Sequence, residues 1–70
     1  MEYVKTIKSK IKIRGKEKDN KGFIFKTPYN QYFARVFVDG GILETFYYKT
    51  EKSVIRKLKN IGFYDIRFLM

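Results

Sequence analysis

Residues 32–38 and 42–49 are aromatic and β-branched runs separated only by Asp39-Gly40-Gly41, and no other stretch limits the fold of this chain so tightly. An Asp-Gly pair between two such runs is the strongest short-range hairpin signal, because a type I′ turn needs positive φ at both central residues. With Asp39-Gly40 as a two-residue turn, Arg35 lies opposite Glu44, Phe33 opposite Phe46, and Phe37 opposite Ile42. A turn at Gly40-Gly41 would separate Arg35 from Glu44 and lose the pairing of opposite charges. One face of the hairpin then carries Phe33, Arg35, Phe37 and Phe46, with Tyr48 at its end. The other carries Tyr32, Ala34, Val36, Val38, Leu43, Thr45 and Tyr47. Both faces are apolar, so both need a cover.

The segment before the hairpin supplies two more strands. From Thr6 to Arg14 the odd positions Ile7, Ile11 and Ile13 are apolar and the even positions Lys8, Lys10, Lys12 and Arg14 are basic, the two-residue period of a half-buried strand. These four cations share one face. A helix over residues 2–12, with Val4, Ile7 and Ile11 at helical spacing, is the competing assignment; Ile13 and the β-branched content favour the strand. Residues 15–22 read as a polar, charged loop that includes Lys16 and Lys18, and residues 22–27 as a second strand closed by Pro28 and the turn-prone Tyr29-Asn30.

After the hairpin, Thr50 is a good N-cap, Glu51 a favourable first-turn anion and Gly62 a natural left-handed stop, which predicts a helix over 51–61. Its apolar stripe is Val54, Ile55, Leu58 and Ile61, while Lys52, Arg56 and Lys59 gather on the opposite side. Residues 63–70 have the composition of a final strand returning to the sheet. The expectation is one α+β domain over residues 1–70, a small antiparallel sheet of four to five strands with one helix packed on one face, in the order β-β-β-β-α-β. A single helix covers a single face of such a sheet. The face with Phe33, Arg35, Phe37 and Phe46 is left for the N-terminal segment, a second copy of the chain, a protein partner or stacked bases.

Seventy residues without cysteine or histidine exclude disulfides, thiolate nucleophiles, the usual zinc ligand sets and imidazole acid–base chemistry. Seven carboxylates are scattered along the chain, and no pair has the spacing of a metal-dependent nuclease site. Ser9 and Ser53 have no histidine to activate them. The expectation is therefore a protein that is not an enzyme and uses no cofactor or metal. No apolar run approaches the ~18 residues that a membrane span needs, and the N-terminus lacks a secretory leader's apolar stretch, so a cytoplasmic protein without membrane contact is expected.

Charge is the most informative part of the composition. The formal net charge is +9, with net +6 over residues 1–26, zero over 27–50 and +3 over 51–70. Lys, Ile, Asn, Phe and Tyr make up 36 of the 70 residues, as AT-rich coding produces. Coding bias accounts for abundance but not for cations that avoid the middle of the chain. A lysine-faced strand beside a basic loop suits a phosphate-tracking surface, although lysine on an edge strand also blocks sheet-to-sheet aggregation. From Gly22 to Asn60 the layout, strands followed by a helix that begins Tyr48-Lys49-Thr50-Glu51-Lys52, is similar to the three-strand-plus-helix DNA-binding domains at the N-termini of some phage integrases. The likeness is architectural, covers a little over half of the chain and carries no binding residues across; it implies nucleic acid as a partner. The expected contacts are Lys8, Lys10, Lys12, Arg14, Lys16 and Lys18, with Lys52, Arg56 and Lys59 as a second patch. The competing expectation is a small regulator or inhibitor, of the kind phage and mobile-element genomes encode, that binds a host protein through Phe33, Arg35, Phe37 and Phe46. A homodimer across that face is a third.

Overall fold

Asp39 and Gly40 both hold positive φ, 48° and 82°, as a two-residue turn between twisted strands requires. Val38 then pairs with Gly41, Phe37 with Ile42 and Arg35 with Glu44, the register expected from the sequence. Around this hairpin the computed structural model, which describes residues 1–69, builds a five-stranded antiparallel sheet and one helix. The elements are β1 (Glu2–Ile13), β2 (Lys16–Lys26), β3 (Tyr32–Val38), β4 (Gly41–Glu44), α1 (Glu51–Ile61) and β5 (Tyr64–Leu69). Their spatial order is β4-β3-β2-β1-β5. The α+β class and the order β-β-β-β-α-β are those expected. Residue 70 of the expected last strand lies outside the described residues.

The helix is capped at its start by a side chain and at its end by backbone amides. The Thr50 hydroxyl accepts from the Ser53 amide at 3.1 Å, and the Gly62 and Phe63 amides both donate to the Leu58 carbonyl, which satisfies terminal groups a helix otherwise leaves unpaired. Phe63 then turns inward and is buried rather than paired in β5. Val54 and Leu58 pack with Phe63 on Ile7, Ile24, Ala34 and Val36, each fully buried aliphatic side chain contributing roughly 1.5–3 kcal/mol. Gly22 lies at the centre of this layer. A Cβ there would stand 3.0 Å from Val36 Cγ2 and 3.2 Å from Ile7 Cγ1, so only glycine lets β1, β2 and β3 close up beneath the helix.

Two expectations are corrected. Residues 15–22 are not a loop: Arg14 and Gly15, at φ 52° and 78°, form a second two-residue turn, and Lys16 to Lys21 pair residue by residue with Ile13 back to Lys8. The apolar alternation that marks a strand is missing because this end of the hairpin runs past its neighbours. β3 pairs only with residues 21–26 of β2, and β5 only with residues 6–10 of β1. The open face is uncovered here, and on the helix side β2 presents Lys16, Lys18 and the buried Asn20, so neither side of this half of the strand is apolar.

The second correction concerns the end of β4. Tyr32 bridges Tyr48, not residue 47 as the register from the turn would have it, so one extra residue is accommodated over 45–48. Thr45 holds the irregularity by accepting from the Ala34 amide at 2.9 Å and donating to the Phe46 carbonyl at 3.0 Å. Phe46 consequently does not face Phe33. Tyr47 moves to that face, its ring 5.1 Å from Phe33, and Tyr48 packs against the helix-side core.

The turn yields a direct expectation. Gly40→Val places a β-branched residue at φ 82° and should lower the thermal midpoint clearly. Gly41→Ala meets only the Val38 carbonyl oxygen, at 3.5 Å, and should change it little. Circular dichroism melts of the two variants make the comparison; equal tolerance would contradict the Asp39-Gly40 turn.

Candidate nucleic-acid interface

Because successive side chains on a strand point to opposite faces, the burial of Ile7 and Ile24 under the helix sends their neighbours to the uncovered face. That face is ordered in rows by the registers of the strands. At one end Tyr3 is partnered with Phe25 and Phe25 with Phe33. The Phe25 and Phe33 rings stack at 5.4 Å, with Tyr47 closing over Phe33 from the other side. In the next row Thr6, Phe23, Arg35 and Glu44 follow one another. Arg35 bonds Glu44 at 2.9 Å and lies 5.6 Å from the Phe25 ring centroid.

The middle row is different in kind. Arg67 of β5 is partnered with Lys8 of β1, Lys8 with Lys21 of β2, and Lys21 with Phe37 of β3. Three cations thus stand side by side across three strands, an arrangement that destabilises a sheet, since like charges directly opposite repel. Arg67 bonds Asp65 at 3.2 Å with its side chain 74% exposed. Lys8 and Lys21 have no carboxylate within 4.0 Å among the described residues. A shallow depression beside this row is lined by Lys8, Lys10, Asp19, Asp65 and Arg67.

Beyond it the charges cancel. Lys10 is partnered with Asp19 and Lys12 with Glu17, and the Lys10 ammonium lies 3.4 Å from Glu17. The Tyr64 hydroxyl donates to the Glu17 carboxylate. That bond, with the Lys10 charge, holds Glu17 below its ordinary pKa, and the same bond pushes Tyr64 up to about 12. At neutral pH Glu17 is therefore charged and Tyr64 neutral. The Glu17 contribution is present above that group's unfolded pKa and fades as pH falls through its lowered folded value; the Tyr64 contribution persists at neutral pH and fades as pH rises towards about 12.

The six expected N-terminal contacts do not form one patch. Lys8, Lys10 and Lys12 share the open face, Arg14 stands exposed in the turn, and Lys16 and Lys18, partnered with Ile13 and Ile11, lie on the helix side of the sheet. Lys18 is 3.8 Å from Asp39. Lys52, Arg56 and Lys59 are exposed on α1, on the far side of the sheet, where they edge a groove floored by Ile55 and Phe68. Among the aromatic candidates, Phe33 is 1% exposed and sealed between Phe25 and Tyr47. Phe37 is 44% and Phe46 78% exposed. Arg35 is half-buried and occupied by Glu44.

Lys21, Arg67, Tyr3 and Phe23 are the residues that sequence reasoning missed. The signal for Lys21 was present: Glu17, Asp19, Lys21, Phe23 and Phe25 fall in one phase once Arg14-Gly15 is taken as a turn. Among the described residues no group of three or more carboxylates is placed to hold a metal ion, and no helix is long and apolar enough to cross a membrane. Protein-family models, curated proteins and solved structures give no significant match to the chain.

Proposed function

We propose that the chain is a non-catalytic nucleic-acid-binding module that grips phosphates through the middle row of the open sheet face. The observation that supports this reading is the line Arg67, Lys8 and Lys21, three neighbouring cations of which two have no carboxylate beside them among the described residues. A sheet keeps such repulsion where an anion offsets it, and a polyanion offers regularly spaced charge. Lys10, already matched by Asp19 and Glu17, is a weaker contact than the sequence suggested.

Fluorescence anisotropy with a mixed-sequence oligonucleotide over a salt series tests the proposal. Affinity should fall on a log–log plot with a slope of about −2 to −3, as roughly three phosphate contacts give at about −0.7 to −0.9 each. Absence of binding at low salt would end the proposal.

A second reading has one observation in its favour. Phe46 and Tyr47 are exposed together at the β4 end of the sheet, away from the cation row, and exposed apolar clusters mark protein contacts. A regulator or inhibitor that binds a host protein there, in the cytoplasm, is the alternative, and it predicts a partner retained after nuclease treatment.

A further inference from the structure

We infer that the nucleic acid is single-stranded, with its phosphates on Arg67, Lys8 and Lys21 and its unpaired bases stacked on Phe37, Phe23 and Tyr3. The inference deepens the nucleic-acid reading above and depends on it.

The cation row and the aromatic surface are contiguous. Lys21 has Phe37 as its partner on β3, and its ammonium lies 5.9 Å from the Phe23 ring centroid. Phe37 meets Phe23 edge-on at 5.9 Å, and Phe23 meets Tyr3 at 6.3 Å. Phosphate-binding charge therefore borders a run of rings, of which Phe37 and Tyr3 are exposed. A duplex offers phosphates but no base faces, because its bases are stacked on one another. Unpaired bases offer both, and they bind aromatic side chains on a sheet in the same way whatever their sequence.

Shape argues in the same direction. The major groove of a duplex admits a helix or a two-stranded ribbon, and the end of the β1–β2 hairpin beyond the sheet is such a ribbon. Its open face, however, is the neutralised one, with Lys10 and Lys12 set against Asp19 and Glu17 and with Glu17 held by Tyr64. Arg14 and Lys16 at the ribbon's tip have no carboxylate within 4.0 Å among the described residues, but they do not share its open face; the two such cations partnered with each other across strands, Lys8 and Lys21, lie in the middle of the sheet, which cannot enter a groove. An extended strand laid across the sheet reaches them.

The test is an anisotropy comparison, at one salt concentration, of the full chain with a labelled single-stranded DNA, the matching RNA, and the same DNA annealed to its complement. Single strands of one or both kinds should bind at least tenfold more tightly than the duplex, and the DNA and RNA arms show whether the 2′-hydroxyl matters. Phe37→Ala should weaken single-strand binding by about 5- to 150-fold, the equivalent of one lost stacking contact, and leave duplex binding unchanged. Phe37→Leu, which keeps an apolar side chain at the site, should lose most of the same affinity, and melts of both variants confirm that they fold. Duplex binding equal to or tighter than single-strand binding, or unchanged affinity in both folded variants, overturns the inference while the nucleic-acid reading stands. Absence of binding to all three removes that reading and the inference with it. A dimer, seen by light scattering, that dissociates on Phe37→Ala also overturns it, because the face would then be covered by a second copy.

Discussion

Phe33→Ala is expected to cost about 3–5 kcal/mol, as removal of a well-packed phenyl ring does. A 70-residue chain has roughly 4–10 kcal/mol of stability in total, so the variant should be largely unfolded at or a little above room temperature. Phe33 lies on the face the helix does not cover, where exposure would be the simple expectation. It is nevertheless 1% exposed, because Phe25 stacks on it at 5.4 Å and Tyr47 closes the other side at 5.1 Å. This end of the open face is a second, small core built only from sheet side chains and the irregular segment after β4. Phe46→Ala is the contrasting change. At 78% exposure it should shift stability by no more than about 0.5 kcal/mol. Circular dichroism melts of the two variants measure the difference; a Phe33→Ala protein as stable as the parent would mean that the ring is not packed as described.

The second large effect is on binding, and its sign differs from its effect on stability. Reversing Lys8 and Lys21 together to Glu should remove two phosphate contacts, each charge-assisted contact being worth about 1.5–3 kcal/mol. The affinity loss is then more than a hundredfold, and the salt slope should fall by about 1.4–1.8. Reversing Lys10 and Lys12 should do less, because Asp19 and Glu17 already oppose them. Lys21→Glu alone sets an opposite charge beside Lys8, where the parent has a like charge, and should stabilise the fold by about 0.2–1 kcal/mol while it weakens binding. Anisotropy and thermal melts on the same preparations read both quantities. A merely solvating lysine would give no such opposition between stability and affinity.

What the sequence made legible follows from where burial enforces a pattern. The Asp39-Gly40 turn, the Arg35 and Glu44 pair and both ends of the helix were readable because each depends on local chemistry: positive φ, opposite charges in register, an N-cap hydroxyl and a left-handed glycine. The first half of β2 was hard to read, since the hairpin there extends past β3 and β5 and its helix-side positions are Lys16, Lys18 and the buried Asn20 instead of apolar residues, so that only the phase of Glu17, Asp19 and Lys21 with Phe23 and Phe25 marks the strand. Without that strand Lys21 could not be placed beside Lys8. The positions of Phe46 and Tyr47 were hidden for another reason. One extra residue, held by the Thr45 hydroxyl, reverses which side chain reaches each face, and an irregularity of that kind has no compositional mark. Arg67 enters the row only through the docking of β5 on β1, a pairing between the two ends of the chain that no local pattern specifies.

In the proposed function, nucleic acid lies on the open sheet face, along the cation row. Amide chemical shifts of isotopically labelled protein, followed while a short single-stranded oligonucleotide is added at low salt, test it most directly. The perturbed amides should be those of Thr6, Lys8, Lys21, Phe23, Phe37 and Arg67, with Lys52, Arg56 and Lys59 on the helix unmoved. Shifts confined to those three helix residues, or no shifts at saturating oligonucleotide, would contradict it.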